Sequence, residues 1–305
     1  MNTPQNGDFF VLAFDHRGTI QRGLYDIHDR AATPEEETKV RDAKQLIYEA
    51  FLAAQKLAPE GANLGVLVDE QFGATVARQA VADGVSLSII VEQSGRVDFD
   101  FEYGEDFGAH IEAFAPNYVK ALVRYNSRGD AQINQLQIKR IGELCEWLAS
   151  RPIGLLLEIV VPATPEQLEE FDGDLDRYET ELRPTLMREA LADFNAASVK
   201  PAFWKLEGLQ SSLEYEKVVD VVEDDLVGGV GFLVLGRAAS DEVVEDWLRG
   251  AAPVNGYRGF AIGRTIWWTG LENFIKGTWT REQAINDIAS RYIHFIDVYE
   301  GAKTA

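Results

Sequence analysis

Cysteine is nearly absent. Cys145 is the only one in 305 residues, which excludes a disulfide framework within the chain and any cysteine-built metal site. It lies in the run IGELCEWLA, whose apolar spacing is helical, so a buried structural thiol is expected rather than a nucleophile. Histidine is scarce as well. His16, His28, His110 and His294 are scattered, and only His16 falls at the end of an expected strand. A three-ligand zinc site needs more convergence than that, so no metal is expected, although Asp69-Glu70 offers the oxygen ligands that Mg2+ prefers. Long apolar runs are missing, and none approaches a membrane span. The stretch MNTPQNGDFF has neither a basic start nor an apolar h-region, so no signal peptide is expected. A reducing, cytoplasmic setting fits these absences.

Positive charge is also in short supply. Lysine and arginine number 29 against 50 acidic residues, a net charge of −21. Nucleic acid would be repelled, no basic stripe offsets this, and anionic membrane surfaces are disfavoured for the same reason. An anionic small substrate remains admissible, because a few arginines reverse the field inside a cleft.

What the chain does have is alternation. Short, almost wholly apolar runs recur at Phe9–Phe14, Leu64–Asp69, Leu87–Glu92, Tyr118–Val123, Ile153–Val160, Ala202–Glu207, Gly231–Gly236 and Gly259–Gly263. Parallel strands covered on both faces read this way. Helical patterns lie between them. Val40, Ala43, Ile47, Phe51 and Ala54 repeat at three- and four-residue spacing, as do Ile285, Ile288, Tyr292, Phe295 and Tyr299. Capping boxes stand at Thr33-Pro34-Glu35-Glu36, Thr164-Pro165-Glu166-Gln167 and Thr280-Arg281-Glu282-Gln283. About eight βα units in one chain predict an α/β protein, a single (β/α)8 TIM barrel over residues 1–305. A doubly wound open sheet is the rival, but the Gly-rich turn expected after its first strand is missing, since Phe14 leads into Asp15-His16-Arg17-Gly18.

In a barrel, polar residues at the C-terminal strand ends face the active site. Here these include Asp15-His16-Arg17, Asp69-Glu70-Gln71, Glu92-Gln93, Lys120, Arg124, Glu158, Lys205, Glu207, Arg237 and Arg264. Lys205 is the most telling, because a lysine between Trp204 and Leu206 is costly to bury. Burial and a neighbouring cation both favour the neutral amine of a lysine, which attacks carbonyls. Lys120 in YVKALV could be that second cation, with Arg124 on the same face giving it a cationic neighbourhood; a lysine snorkelling to water is the bland alternative for Lys205. Glu158 in LLLEIV is a carboxylate in a similar setting, either a proton shuttle or half of a structural ion pair with Lys120 or Arg124. FLVLGR and FAIGR each end a strand with Gly-Arg, a glycine permitting close approach and an arginine that forks onto phosphate.

The motifs AFDHR, LVDEQFG, VKALVRYN, LLLEIVVP, WKLEGL, VLGRAAS and FAIGRTIWW occur in that order between about Phe10 and Trp268. As a set they resemble the aldolase domain of the inositol-catabolism protein, a 2-deoxy-5-keto-gluconate-6-phosphate aldolase. More distantly they are similar to tagatose-1,6-bisphosphate and sulfofructose-phosphate aldolases. The resemblance implies a class I aldolase barrel that works through a covalent imine at lysine, without a separate cofactor. It implies Lys205 as the Schiff-base lysine, Glu158 as acid/base and Asp15 as the strand-one aspartate. It places Lys120, Arg237, Gly263 and Arg264 on the substrate, with Gly263-Arg264 on its phosphate and Arg237 the less certain partner; Arg124 and Gln71, as strand-end polar residues, are also expected to bind substrate. The substrate would be a phosphorylated, or sulfonated, keto sugar or keto sugar acid, and the three-carbon product dihydroxyacetone phosphate. The inositol protein couples this barrel to a sugar kinase, which these 305 residues do not contain, so the resemblance reaches the chemistry further than the pathway. A homo-oligomer is expected. Two other readings stay open: a metal-assisted phosphosugar isomerase using Asp69 and Glu70, and a sugar-phosphate sensor that binds without turnover.

Overall fold

The computed structural model describes residues 7–222 and 229–304. Eight parallel strands form a closed barrel in sequence order: β1 (Phe9–Ala13), β2 (Asn63–Val68), β3 (Ser86–Ile90), β4 (Tyr118–Arg124), β5 (Gly154–Val160), β6 (Phe203–Glu207), β7 (Gly231–Leu235) and β8 (Tyr257–Ile262). Each expected apolar run overlaps one of them, and β2, β3, β4 and β8 extend past their runs at Asn63, Ser86, Arg124 and Tyr257. Closure is made by β8 lying beside β1, Phe9 opposite Gly259 and Leu12 opposite Ile262, which removes the open-sheet rival. The architecture is a (β/α)8 TIM barrel.

Two-residue alternation sorts each strand into two faces. The outward faces of the strands join the surrounding helices in one large apolar cluster. The inward faces make a second, smaller one around Phe9, Val11, Tyr118, Leu156, Phe203 and Leu233. Inside the barrel the rings of Phe9, Tyr118 and Phe203 contact one another at centroid separations of 5.4 to 5.6 Å. Gly65 on β2 makes this possible, because a Cβ there would stand 2.8 Å from the Phe9 ring. Burying each such side chain contributes about 1.5–3 kcal/mol. The aromatic layer plugs the barrel, so the next inward residues on β4, β5 and β6 form the floor of whatever opens above.

The helices begin where the sequence says. All three capping boxes form, at Thr33, Thr164 and Thr280. Helix Pro34–Gln55 buries Val40, Ala43, Ile47, Phe51 and Ala54 as expected, and Lys44 with them. The closing helix, Arg281–Lys303, buries Ile288, Tyr292, Phe295 and Tyr299, whereas Ile285 is only partly covered and Ala284 takes the inward position. Cys145 is half-buried; burial, then Glu146, pushes its thiol up to about 11, which suits a structural thiol. No helix among the described residues is long and apolar enough to cross a membrane.

Candidate active site

One inward layer above the aromatic rings, alternation turns Lys120, Glu158 and Lys205 into the barrel, each two positions after Tyr118, Leu156 and Phe203. Glu158 and Lys205 are register partners across β5 and β6. The Lys205 ammonium lies 3.0 Å from Glu158 Oε1, and Lys120 lies 2.8 Å from Glu158 Oε2. Lys120 also meets Asp15 Oδ2 at 3.0 Å and Glu92 Oε1 at 2.6 Å. Five charged groups from five strands thus share one buried cluster, three acids and two lysines.

The cluster does not treat its lysines alike. Burial alone would strip the proton from Lys120, but Asp15, Glu158 and Glu92 overcome it and hold Lys120 as an ammonium well above the ordinary lysine range. The expected cationic neighbourhood of Lys120 is therefore replaced by an anionic one. Arg124, exposed at the end of β4, donates instead to the Arg96 carbonyl at 3.0 Å. Burial would raise Glu158, yet Lys120 and then Lys205 keep it below the usual carboxylate range. Asp15 behaves the same way: burial opposes its charge, and Lys120, His16 and Lys205 outweigh burial and hold it far down.

The loop after β1 carries Asp15 and is fixed from beneath. Lys44 is fully buried and donates to the Phe14 carbonyl at 2.6 Å and the His16 carbonyl at 3.0 Å, bracketing Asp15. It also pairs with Asp69, whose other oxygen caps helix Glu70–Ala82 through Phe72 N at 2.8 Å. Arg17 closes the loop from the other side, reaching the Glu92 carbonyl at 2.8 Å and the Glu102 carboxylate at 2.9 Å.

A cavity of about 410 Å3 opens above this floor. Asp15, Lys120, Arg124, Glu158, Lys205, Arg237, Gly263 and Arg264 all line it. Gln71 does not; it is exposed on the first turn of helix Glu70–Ala82, which leads away from the cavity mouth. Glu92 was counted among the strand-end polar residues but given no role, and the structure puts it on Lys120. Gly263 admits no side chain, since a Cβ would lie 2.4 Å from the Ala13 carbonyl. Arg264 opens helix Arg264–Ile275 with its Nε buried and without a hydrogen-bond partner among the described residues. Arg237 is already engaged, 2.5 Å from Glu179 and 3.0 Å from Glu207. Asp69 is consumed by Lys44 and Phe72 N, and Glu70 meets His110 Nδ1 at 2.9 Å, so neither carboxylate of the proposed Mg2+ pair faces the cavity. No group of three potential ligands is assembled for a metal among the described residues.

What such a floor can do is nucleophilic chemistry. It holds an amine against a carboxylate able to take and return its proton, beside a cation that keeps the carboxylate ionised. Solved structures share the fold. Cgl0159 from Corynebacterium glutamicum (Brevibacterium flavum) superposes with a TM-score of 0.58 at 17% identity, over 96% of this chain and 88% of that one. A fructose-bisphosphate aldolase from Plasmodium falciparum, in complex with TRAP and a small-molecule inhibitor, gives 0.66 at 12% identity, over 95% of this chain and 90% of that one. At such identities the likeness is one of fold. No curated protein matches the chain, and the comparisons do not bear out the expected resemblance to the ketogluconate-phosphate aldolases. A family model matches residues 1–303, and the chain belongs to that family, described as "Uncharacterized protein conserved in bacteria (DUF2090)".

Proposed function

We propose that this protein is a Schiff-base aldolase acting on a phosphorylated keto sugar or keto sugar acid. The observation that carries the reading is the pairing of Lys205 with Glu158 at 3.0 Å while Lys120 is locked as a cation by three carboxylates. A lysine so locked is a poor nucleophile. Lys205 shares a single carboxylate and is the one free to react.

In this reading Lys205 Nζ passes a proton to Glu158 and attacks the substrate ketone. Glu158 returns the proton to the carbinolamine oxygen, and water leaves as the iminium forms. The bond between the α and β carbons then breaks. Its electron pair moves into the new enamine double bond and neutralises the iminium nitrogen, while the β-hydroxyl loses its proton and becomes an aldehyde. Protonation of the enamine carbon and addition of water release the ketone product and restore Lys205. Asp15, held through Lys120, orients substrate hydroxyls. Arg264, with its unpartnered Nε, takes the anionic end of the substrate.

The motif resemblance favours 2-deoxy-5-keto-gluconate 6-phosphate as substrate and dihydroxyacetone phosphate as product, with tagatose 1,6-bisphosphate and sulfofructose phosphate as the other members of the class. An aldolase among the fold relatives agrees with the reaction class. The test is a cleavage screen over these keto-sugar phosphates, read by dihydroxyacetone phosphate release, followed by borohydride reduction and peptide mass spectrometry. The expected adduct is on the peptide holding Trp204 to Leu209. An adduct on the peptide holding Tyr118 to Val123 reverses the two lysines, and turnover without any adduct rejects imine chemistry.

A further inference from the structure

We infer that His16 is a catalytic residue of this site: it takes the hydroxyl proton as the carbon–carbon bond breaks and returns it to the enamine carbon. The inference rests on the aldolase reading above.

That reaction moves protons at two places. One is the nitrogen of Lys205, where Glu158 stands. The other is the β-hydroxyl, several bonds away, whose O–H must break as the aldehyde C=O forms. The acids of the floor are all tied to Lys120. His16 lines the same cavity, with 23% of its side chain exposed.

The ring of His16 is held without a hydrogen bond to its nitrogens among the described residues. Lys44 fixes its backbone through the carbonyl at 3.0 Å. The Trp267 and His16 rings meet in a T-shaped contact, centroids 5.4 Å apart at 73°. Gly263 leaves the space it needs, since a Cβ there would stand 2.9 Å from His16 Cε1. Its Nδ1 is buried, finds no hydrogen-bond partner among the described residues, and lies 3.7 Å from Asp15 Oδ1. A histidine with a purely structural role normally pairs its buried ring nitrogens. This one is held through its backbone and its ring contact with Trp267, and its buried Nδ1 has no hydrogen-bond partner among the described residues.

Its surroundings suit a proton acceptor whose strength grows during the reaction. Burial lowers its pKa most, Asp15 opposes, and Arg264, Lys44 and Lys205 lower it further, to about 4. At neutral pH the ring is uncharged. Two of those opposing cations change as the reaction proceeds. A substrate anion on Arg264 offsets the first, and the nitrogen of Lys205 becomes neutral as the iminium turns into the enamine. Each change makes an imidazolium easier to form at the step that creates it. Transfer of the same proton to the enamine carbon restores neutral His16 and the iminium, so the cycle closes without an outside acid.

Dihydroxyacetone phosphate alone tests this. With wild-type protein it should give a borohydride-trapped adduct on Lys205 and exchange one carbon-bound hydrogen with D2O through the enamine. His16→Gln should keep the adduct yield and lose exchange by about 100-fold or more, the low end of general acid–base contributions. In His16→Ala, free imidazole should restore part of the exchange. Exchange at the wild-type rate in His16→Gln, with the adduct present, overturns the role of His16 alone. Loss of adduct and exchange together in both variants, without rescue by imidazole, makes His16 structural and also overturns the inference. Absence of an adduct on wild-type Lys205 overturns the Schiff-base reading and this step with it.

Discussion

Glu158 and Lys205 face each other across β5 and β6 in strict register, and their side chains meet at 3.0 Å. Glu158 reaches Lys120 with its other oxygen. One carboxylate thus bridges a lysine fixed as a cation and a lysine that is not surrounded. The two substitutions that remove these lysines should have different consequences.

Lys120→Met leaves Asp15, Glu92 and Glu158 crowded together without their shared cation. Breaking a buried charge pair by deleting one partner costs about 3–5 kcal/mol, and a loss of that order is expected in urea unfolding. Lys205→Met should cost clearly less, since Glu158 keeps Lys120, while abolishing cleavage and the trapped adduct. Equal stability losses in the two variants would contradict this asymmetry.

Arg264→Ala should raise KM for a phosphorylated substrate by about 10-fold or more, because a charge-assisted contact is worth about 1.5–3 kcal/mol. Arg237→Ala should raise it less, since that guanidinium is held by Glu179 and Glu207. Steady-state kinetics of the two variants on one substrate decide the order, and a larger effect at Arg237 would show that it leaves its carboxylates to bind.

Stability should depend on pH through His16. Its folded-state pKa, about 4, lies below the ordinary 6.5. The unfolded chain therefore takes up the proton first as pH falls, and folding stability is lost between about pH 6.5 and 4. For one proton the slope is at most about 1.4 kcal/mol per pH unit. His16→Gln should flatten this stretch in melts recorded from pH 7 to 4. An unchanged slope would mean that the ring is charged in the folded state.

Cleavage should survive EDTA. Asp69 is used by Lys44 and Phe72, Glu70 by His110, and the floor acids by Lys120. Activity lost to chelator and restored by Mg2+ or Mn2+ would move the protein to metal-assisted chemistry.

The barrel was legible because eight runs, from Phe9–Phe14 to Gly259–Gly263, are apolar on both faces, and because Thr33, Thr164 and Thr280 announce helix starts chemically. Lys205 and Glu158 stood out because a charge inside such a run must have a partner. For Glu158 the sequence offered Lys120 or Arg124 as partner, and Lys120 is the one it meets, but the other acids on Lys120 were not legible. Which acid meets which lysine depends on the stagger between strands, and that stagger brings Glu92 of the third strand's end and Asp15 of the first onto Lys120. Gln71 shows the converse: it follows a strand end, yet Asp69 caps the helix there and turns Gln71 to solvent. Lys44 was hidden in an ordinary amphipathic helix, because one lysine among apolar positions does not reveal whether it lies inside.

The cavity is electrically polarised along its depth. Its floor holds one more acid than lysine, while Arg124 at the end of β4 and Arg237 and Arg264 beyond the ends of β7 and β8 line the cavity above it. A phosphorylated chain entering this field is repelled by the bottom and drawn to the top. In the proposed aldolase reading the uncharged ketone goes down against Lys205 and the anionic groups stay with the arginines. In that reading, charge keeps every anionic end of a keto sugar acid phosphate or bisphosphate off the floor before any hydroxyl is inspected.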